Sequence, residues 1–366
     1  MSHAARSLFS PYMHWAKTRF QSQPRFGLTN SGVMNFPISE LRVRLEDLEL
    51  SGPSYYGYPP LQKALAAYTK APEESIVAAT GTSMANYLVM AALLSPGDDC
   101  LVESPAYDPL VHAASFTGAQ INRFRRHAED GFAIRLEEVR RTMTAKTRLI
   151  VITNLHNPSS AYVDETTLRG LAAIAREAGA RILVDEVYLE AMYEDAPPSA
   201  FFLDPVFVIT NSLTKAYGLS GLRCGWILAE PDLARRLWLL NDLMGVIPAH
   251  AAERLSVLAL EQLPAIAARA KSILGPNRAL LHRFLDRHPR LQGGRIGHGT
   301  VSFPRMPGVD VDAFCGRLLE RHGVSVVPGS FFEAPDHLRI TIGCATETLH
   351  GGLEAFSDAL AELGPQ

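Results

Sequence analysis

Short, almost wholly apolar runs alternate with stretches of helical spacing through the middle of the chain. Residues 75–80 (SIVAAT), 100–103 (CLVE), 148–153 (RLIVIT), 181–185 (RILVD), 206–210 (VFVIT) and 224–229 (CGWILA) read as strands. Gly81 breaks the first of these, and a helix follows through Tyr87 and Leu88 to about Leu94, where Pro96-Gly97 stops it. Residues 166–178 also have helical spacing. Strands that are apolar on both faces and separated by helices predict an α/β domain. Its sheet is mostly parallel and covered by helices on both faces. The chain ends differ. Residues 1–45 carry few periodic signals. From 276 onward the pattern predicts a helix (277–287), a glycine-rich strand region (293–303), a helix (312–322), a strand (337–342) and a final helix to about Leu363. That is a smaller α+β unit. The expected division is an N-terminal segment 1–45 belonging to the small domain, a large domain 46–275, and a small C-terminal domain 276–366. The second boundary falls within a long helical stretch that starts near Ala251.

Composition narrows the class without naming a function. The 366 residues are 47% apolar and 20% charged, as in soluble globular chains, and the length fits two domains. With 35 basic and 38 acidic residues the net charge is −3, so no polybasic surface argues for nucleic acid or anionic lipid. Cys100, Cys224, Cys315 and Cys344 form no CxxC pair, and no H-E-x-x-H or Cys cluster suggests a metal. Residues 1–10 lack a leader pattern, and no run of 18 apolar residues exists. A cytoplasmic chain without a membrane span is expected.

The chemistry concentrates in Ser212-Leu213-Thr214-Lys215, followed by Gly221-Leu222-Arg223-Cys224-Gly225. A lysine beyond a strand end can form a Schiff base with a carbonyl once its amine loses a proton. An arginine beside hydroxyls suits a phosphate. A carbonyl compound that carries a phosphate describes pyridoxal 5′-phosphate (PLP).

The segment resembles the cofactor-lysine region of the class I/II aminotransferases, which are fold-type I PLP enzymes, and the likeness extends over about residues 28–363. It implies that Lys215 holds the cofactor and then acts as acid and base, with Ser212, Thr214 and Arg223 at the phosphate. Asp185 would face the pyridine nitrogen and Tyr188 the ring hydroxyl. Asn157, in Asn154-Leu155-His156-Asn157-Pro158, would contact the ring oxygen and the substrate carboxylate. Gly81-Thr82-Ser83 would form the phosphate cradle at a helix start, and Tyr107 would stack on the ring. Arg339, in a late strand, would pair the substrate α-carboxylate, with Gly32 supplying an amide nearby. A homodimer with shared sites is implied, with a tyrosine from the partner subunit at the phosphate. Gly52 stands where that tyrosine is expected, and Tyr55 is the substitute.

Other departures are Leu155 in place of the usual proline, Ser160 in place of glycine, Met84 in place of a polar residue, and His250 where relatives often have glutamine. The implied activity is amino transfer from an α-amino acid to a 2-keto acid. A PLP-dependent lyase, decarboxylase or cyclising synthase on the same fold stays open, because the fold does not decide which bond breaks. A nicotinamide dehydrogenase would need G-x-G-x-x-G after the first strand, and Gly81-Thr82-Ser83-Met84 does not supply it. No helix-turn-helix segment is expected before residue 28. Arg25, Arg254 and His250 are candidates for side-chain selection, with surface pairing as the alternative.

Overall fold

A computed structural model describes residues 9–19 and 23–364. The first eight residues, where no leader pattern is read, lie outside the described residues. A two-residue strand, β1 (Phe26–Gly27), precedes the main sheet. That sheet has seven strands: β2 (Ile76–Thr80), β3 (Asp99–Ser104), β4 (Gln120–Arg125), β5 (Thr147–Thr153), β6 (Arg181–Asp185), β7 (Phe207–Ser212) and β8 (Cys224–Leu228). They lie in the order β2-β8-β7-β6-β5-β3-β4. Strands β3 to β7 run parallel, whereas β8 is antiparallel to both β7 and β2. Helices flank the sheet, among them Gly81–Leu93 and Glu165–Ala178. Its central residues, such as Val151, Leu183 and Val208, are sealed from water. Full burial of such side chains contributes roughly 1.5–3 kcal/mol each.

This topology brings the motifs to one edge. The carboxyl ends of β3, β5, β6 and β7 deliver the segments after Ser104, Thr153, Asp185 and Ser212 side by side. Because β8 runs the other way, its amino end, with Arg223, falls on the same edge. Because β2 is antiparallel to β8, its carboxyl end, with Gly81, does too. Open parallel sheets bind ligands at that edge.

The remaining strands are β9 (Val301–Ser302), β10 (Val324–Ser325), β11 (Val327–Pro328) and β12 (Leu338–Thr341). They form a β11-β12-β9 antiparallel sheet and a parallel β1-β10 pair that joins the two chain ends. One hydrophobic core surrounds the large sheet. A second gathers Phe284, Phe314, Phe356 and Leu338 with Leu28 and Val33 from the N-terminal segment. The helix Leu263–Arg287 serves both, giving Ile266 to the first and Ala270 to the second. No helix among the described residues is long and apolar enough to cross a membrane.

Several elements differ from the sequence pattern. Strand β4 (QINRFR) has no apolar run because it is only partly covered at one edge of the sheet, with Phe124 its one fully buried residue. The glycine-rich region 293–303 is mainly loop, with positive φ at Gly293, Gly294 and Gly299, and only Val301–Ser302 is strand. The stretch after Ala251 is two helices, His250–Glu261 and Leu263–Arg287, and the second continues through Pro276. The N-terminal segment holds a helix, Pro11–Thr18, capped by the Ser10 hydroxyl.

A buried ion pair braces the site edge from below. Arg126, just past β4, pairs with Glu103 of β3 at 2.7 Å, both fully enclosed. The other Glu103 oxygen accepts the Thr153 amide at 2.6 Å and the Thr153 hydroxyl at 2.7 Å, which fixes the end of β5. Glu103→Leu leaves the guanidinium charged and unpaired. It is expected to lower the unfolding free energy by roughly 3–5 kcal/mol, read from urea denaturation.

Candidate active site

Lys215 lies in the short helix Thr214–Tyr217, two residues beyond β7. Its amine donates to the Ser31 hydroxyl at 2.9 Å. The chain keeps one face open to the cleft, but crowding around the amine and the charge of Arg339 pull it down to about 8, against the pull of Asp185. Gly32 abuts the lysine backbone: a Cβ there would lie 2.9 Å from the Lys215 carbonyl. The structure thus places Gly32 against Lys215, and its amide makes a long contact of 3.4 Å to the Asn30 side chain.

Asp185 ends β6 and is 4% exposed. Its carboxylate accepts from the Asn86 amide at 2.8 Å and the Val187 backbone at 3.1 Å. Burial pushes it up to about 6, and these neutral donors only partly oppose that. Among the described residues no cation forms a salt bridge with it. Asn86 is held in turn by the Thr210 hydroxyl at 2.5 Å. The sequence reading omits Asn86. Its signal was a polar residue on the buried face of an otherwise apolar helix.

Gly81 opens the helix Gly81–Leu93, and any side chain there would strike the Arg223 guanidinium. A Cβ at Gly225 would lie 2.6 Å from the Gly81 backbone. The close approach sets the amino end of a thirteen-residue helix beside Arg223, which makes only long contacts to the Ser220 and Thr80 carbonyls, 3.3 and 3.4 Å. Thr82 donates to Ser212 at 2.8 Å, Ser83 is exposed, and the Thr214 amide reaches the Ser212 hydroxyl at 3.4 Å. Helix amides, hydroxyls and an unpaired guanidinium around one spot make an anion cup.

Arg339 is 1% exposed on β12. It donates to Asn157 Oδ1 at 3.1 Å, the Tyr12 hydroxyl at 2.8 Å and the Thr29 carbonyl at 3.1 Å, with no carboxylate partner among the described residues. The Asn157 amide is anchored at 2.9 Å on Thr153, the residue braced by Glu103. Tyr188 is buried, and its hydroxyl faces Ser31 without a hydrogen bond of normal geometry. Tyr107 is half-buried, and burial pushes its phenol well up. Tyr55 is 78% exposed and makes no hydrogen bond to the site of its own chain. Arg25 lies over Phe26, and Arg254 reaches the Asp47 side chain at 3.8 Å and the backbone of Glu46 and Asp47, so neither borders this pocket.

The departures find local reasons. Leu155 is buried and packs in an apolar cluster with Val187, Tyr188 and Leu189. Ser160 holds φ +59°, and its hydroxyl offsets that conformation by donating to the Val301 carbonyl at 2.7 Å. Gly52 and His250 are packed together, because a side chain at 52 would run into the His250 ring.

A sequence model of the family described as "Aminotransferase class I and II" matches residues 44–356. The chain belongs to this family. It is 32% identical to capreomycidine synthase of Streptomyces vinaceus over 365 residues, 96% of this chain and 93% of that protein. It is 30% identical to the arginine–pyruvate transaminase of Pseudomonas aeruginosa over 298 residues, 79% of this chain and 76% of that one. A PLP-dependent aminotransferase from Streptococcus suis superposes with a TM-score of 0.88 at 29% identity, covering 94% of this chain and 95% of that one. The family depends on PLP, and the chain's own groups fit it. The anion cup suits a phosphate, the buried Tyr188 hydroxyl makes no hydrogen bond of normal geometry and is open to a ring oxygen, and Asp185 is a buried carboxylate with no salt-bridge partner, both among the described residues.

In the cofactor-free protein, the reactivity of Lys215 toward an amine-selective reagent is expected to rise through about pH 8 and then level off. Only the unprotonated amine is nucleophilic. Arg339→Gln removes a neighbouring positive charge, so the rise should move to higher pH. Peptide mapping over a pH series measures both. A wild-type rise centred in the range of exposed lysines, about 10.4, would contradict the assignment.

Proposed function

We propose that the chain is an aminotransferase that moves an amino group from an α-amino acid to a 2-keto acid. The observation that carries this reading is Arg339, a buried guanidinium without an anionic partner, in the same pocket as Lys215. A planar fork pairs both oxygens of an α-carboxylate, and Asn157 on its flank keeps the guanidinium plane fixed. When bound, PLP draws electrons from an amino acid joined to its aldehyde and so weakens bonds at Cα. Lys215, with an amine near neutrality, takes the Cα proton and returns it one atom away. Asp185, a buried carboxylate, would stabilise a proton on the ring nitrogen. The anion cup at Gly81, Thr82, Ser83 and Arg223 secures the phosphate, and Tyr107 and Tyr188 hold the ring plane. Donor and acceptor share one carboxylate site, so they bind in turn and the kinetics are ping-pong.

We also propose a homodimer. Leu45, Leu50, Tyr55, Tyr56, Leu243, Met244 and Val246 are exposed apolar side chains on neighbouring segments, joined by Arg254 to Glu46 and Asp47 and by Tyr56 to Trp238. A second copy covering them would bring its Tyr55 to the phosphate. A monomer by sedimentation would count against this.

A cyclising synthase is the second reading. Its support is the likeness to capreomycidine synthase, which runs over 96% of this chain, against 79% for the arginine–pyruvate transaminase. A panel of amino acids, each with and without a keto-acid acceptor, separates the two. Amino transfer gives a new amino acid in step with a new keto acid, whereas cyclisation gives a ring product without consuming the acceptor. In either case Lys215→Ala is expected to lower turnover by roughly 10²- to 10⁴-fold. Wild-type turnover in that variant would sink both readings.

A further inference from the structure

Tyr12 lies outside the matched family region, residues 44–356, yet it sits in the site. It is 6% exposed, its ring packs edge-on to Tyr107 at 5.8 Å, and the Arg339 guanidinium lies 5.5 Å from the ring centre. The next residue, Met13, takes the Tyr107 hydroxyl on its sulfur at 3.5 Å. The helix is latched to the large domain by Asp108, the neighbour of Tyr107. The Asp108 carboxylate accepts from the Ser10 hydroxyl and, at 3.0 Å, from the Tyr12 amide. One short helix therefore straddles the cleft between Tyr107 and Arg339.

We propose that Tyr12 is a substrate-contact residue that gives the α-carboxylate a further donor beside Arg339. Guanidinium groups only donate, so in the 2.8 Å bond to Arg339 the phenol oxygen must accept. Its own proton is left over, and it has no acceptor among the described residues. A carboxylate drawn to Arg339 meets that proton. The bond to Arg339 polarises the phenol and strengthens its donation. The inference rests on the reading of Arg339 as the carboxylate partner, and it adds that the helix Pro11–Thr18 must be docked when the substrate binds.

The test is calorimetric titration of the PLP-loaded enzyme with propionate and with propionamide, which cannot react. Tyr12→Phe is expected to weaken propionate about tenfold, the scale of one hydrogen bond to a charged group. Propionamide binding and the cofactor absorbance should not change. In turnover the loss should appear in KM with kcat held within about twofold, because the contact is the same in ground and transition states. Asp108→Asn, which weakens the hold on Ser10 and the Tyr12 amide and also removes the 2.6 Å ion pair to His112, should shift propionate binding the same way and serves if Tyr12→Phe does not fold. Loss of propionate binding in Arg339→Gln but not in Tyr12→Phe overturns the role of Tyr12 and leaves that of Arg339 standing. Unchanged binding in both overturns the carboxylate site itself.

Discussion

The guanidinium of Arg339 is kept from water with neutral oxygens as its partners: a phenol from the N-terminal helix, a backbone carbonyl from residue 29, and an amide from the turn after β5. Burial of a cation without a counter-ion costs several kcal/mol. The protein sustains it because three separate parts of the chain converge on that group. Each part is braced elsewhere: Asn157 through Thr153 and the Glu103–Arg126 pair, Tyr12 through Asp108, and Arg339 itself by the three-stranded sheet β11-β12-β9. The arrangement leaves a buried guanidinium preorganised for an anion, and it depends on the relative placement of the two cores.

At Lys215 and Asp185 burial acts in opposite directions on groups of opposite charge. It lowers the amine to about 8 and raises the carboxyl to about 6. Both are moved toward pH 7, which shrinks the free-energy cost of changing either proton count there. The amine keeps a hydroxyl partner and the carboxylate keeps amide partners, so neither is neutralised by a dedicated counter-ion.

Much of the site was legible because each motif follows a strong apolar strand, and a parallel sheet gathers strand ends on one edge. Lys215, Asp185 and Asn157 could be placed in that way. Strand direction was not legible. Residues 224–228 are as apolar as their parallel neighbours, and only the structure shows that β8 runs backward and so brings Arg223 to the same edge. Strand β4 escaped notice because its sequence, QINRFR, interleaves polar and charged residues and buries only Phe124 fully. Tyr12 and Asn86 were missed for different reasons. Asn86 lay within a helix whose apolar neighbours drew attention. Tyr12 stands 327 positions from the group it serves, in a helix too short to show a period, although its Ser-Pro start was a fair cap signal.

The packing of Gly52 against His250 constrains the routes by which this chain can change. A residue larger than glycine at position 52 has no room while the imidazole fills it. Removing the imidazole first leaves a hollow beside Tyr58, whose ring rests on it at 4.9 Å. Each single step is disfavoured, the first by the displacement of the His250 ring and the second by the hollow it leaves. The two positions are therefore energetically coupled, and the effect of changing one depends on which residue stands at the other.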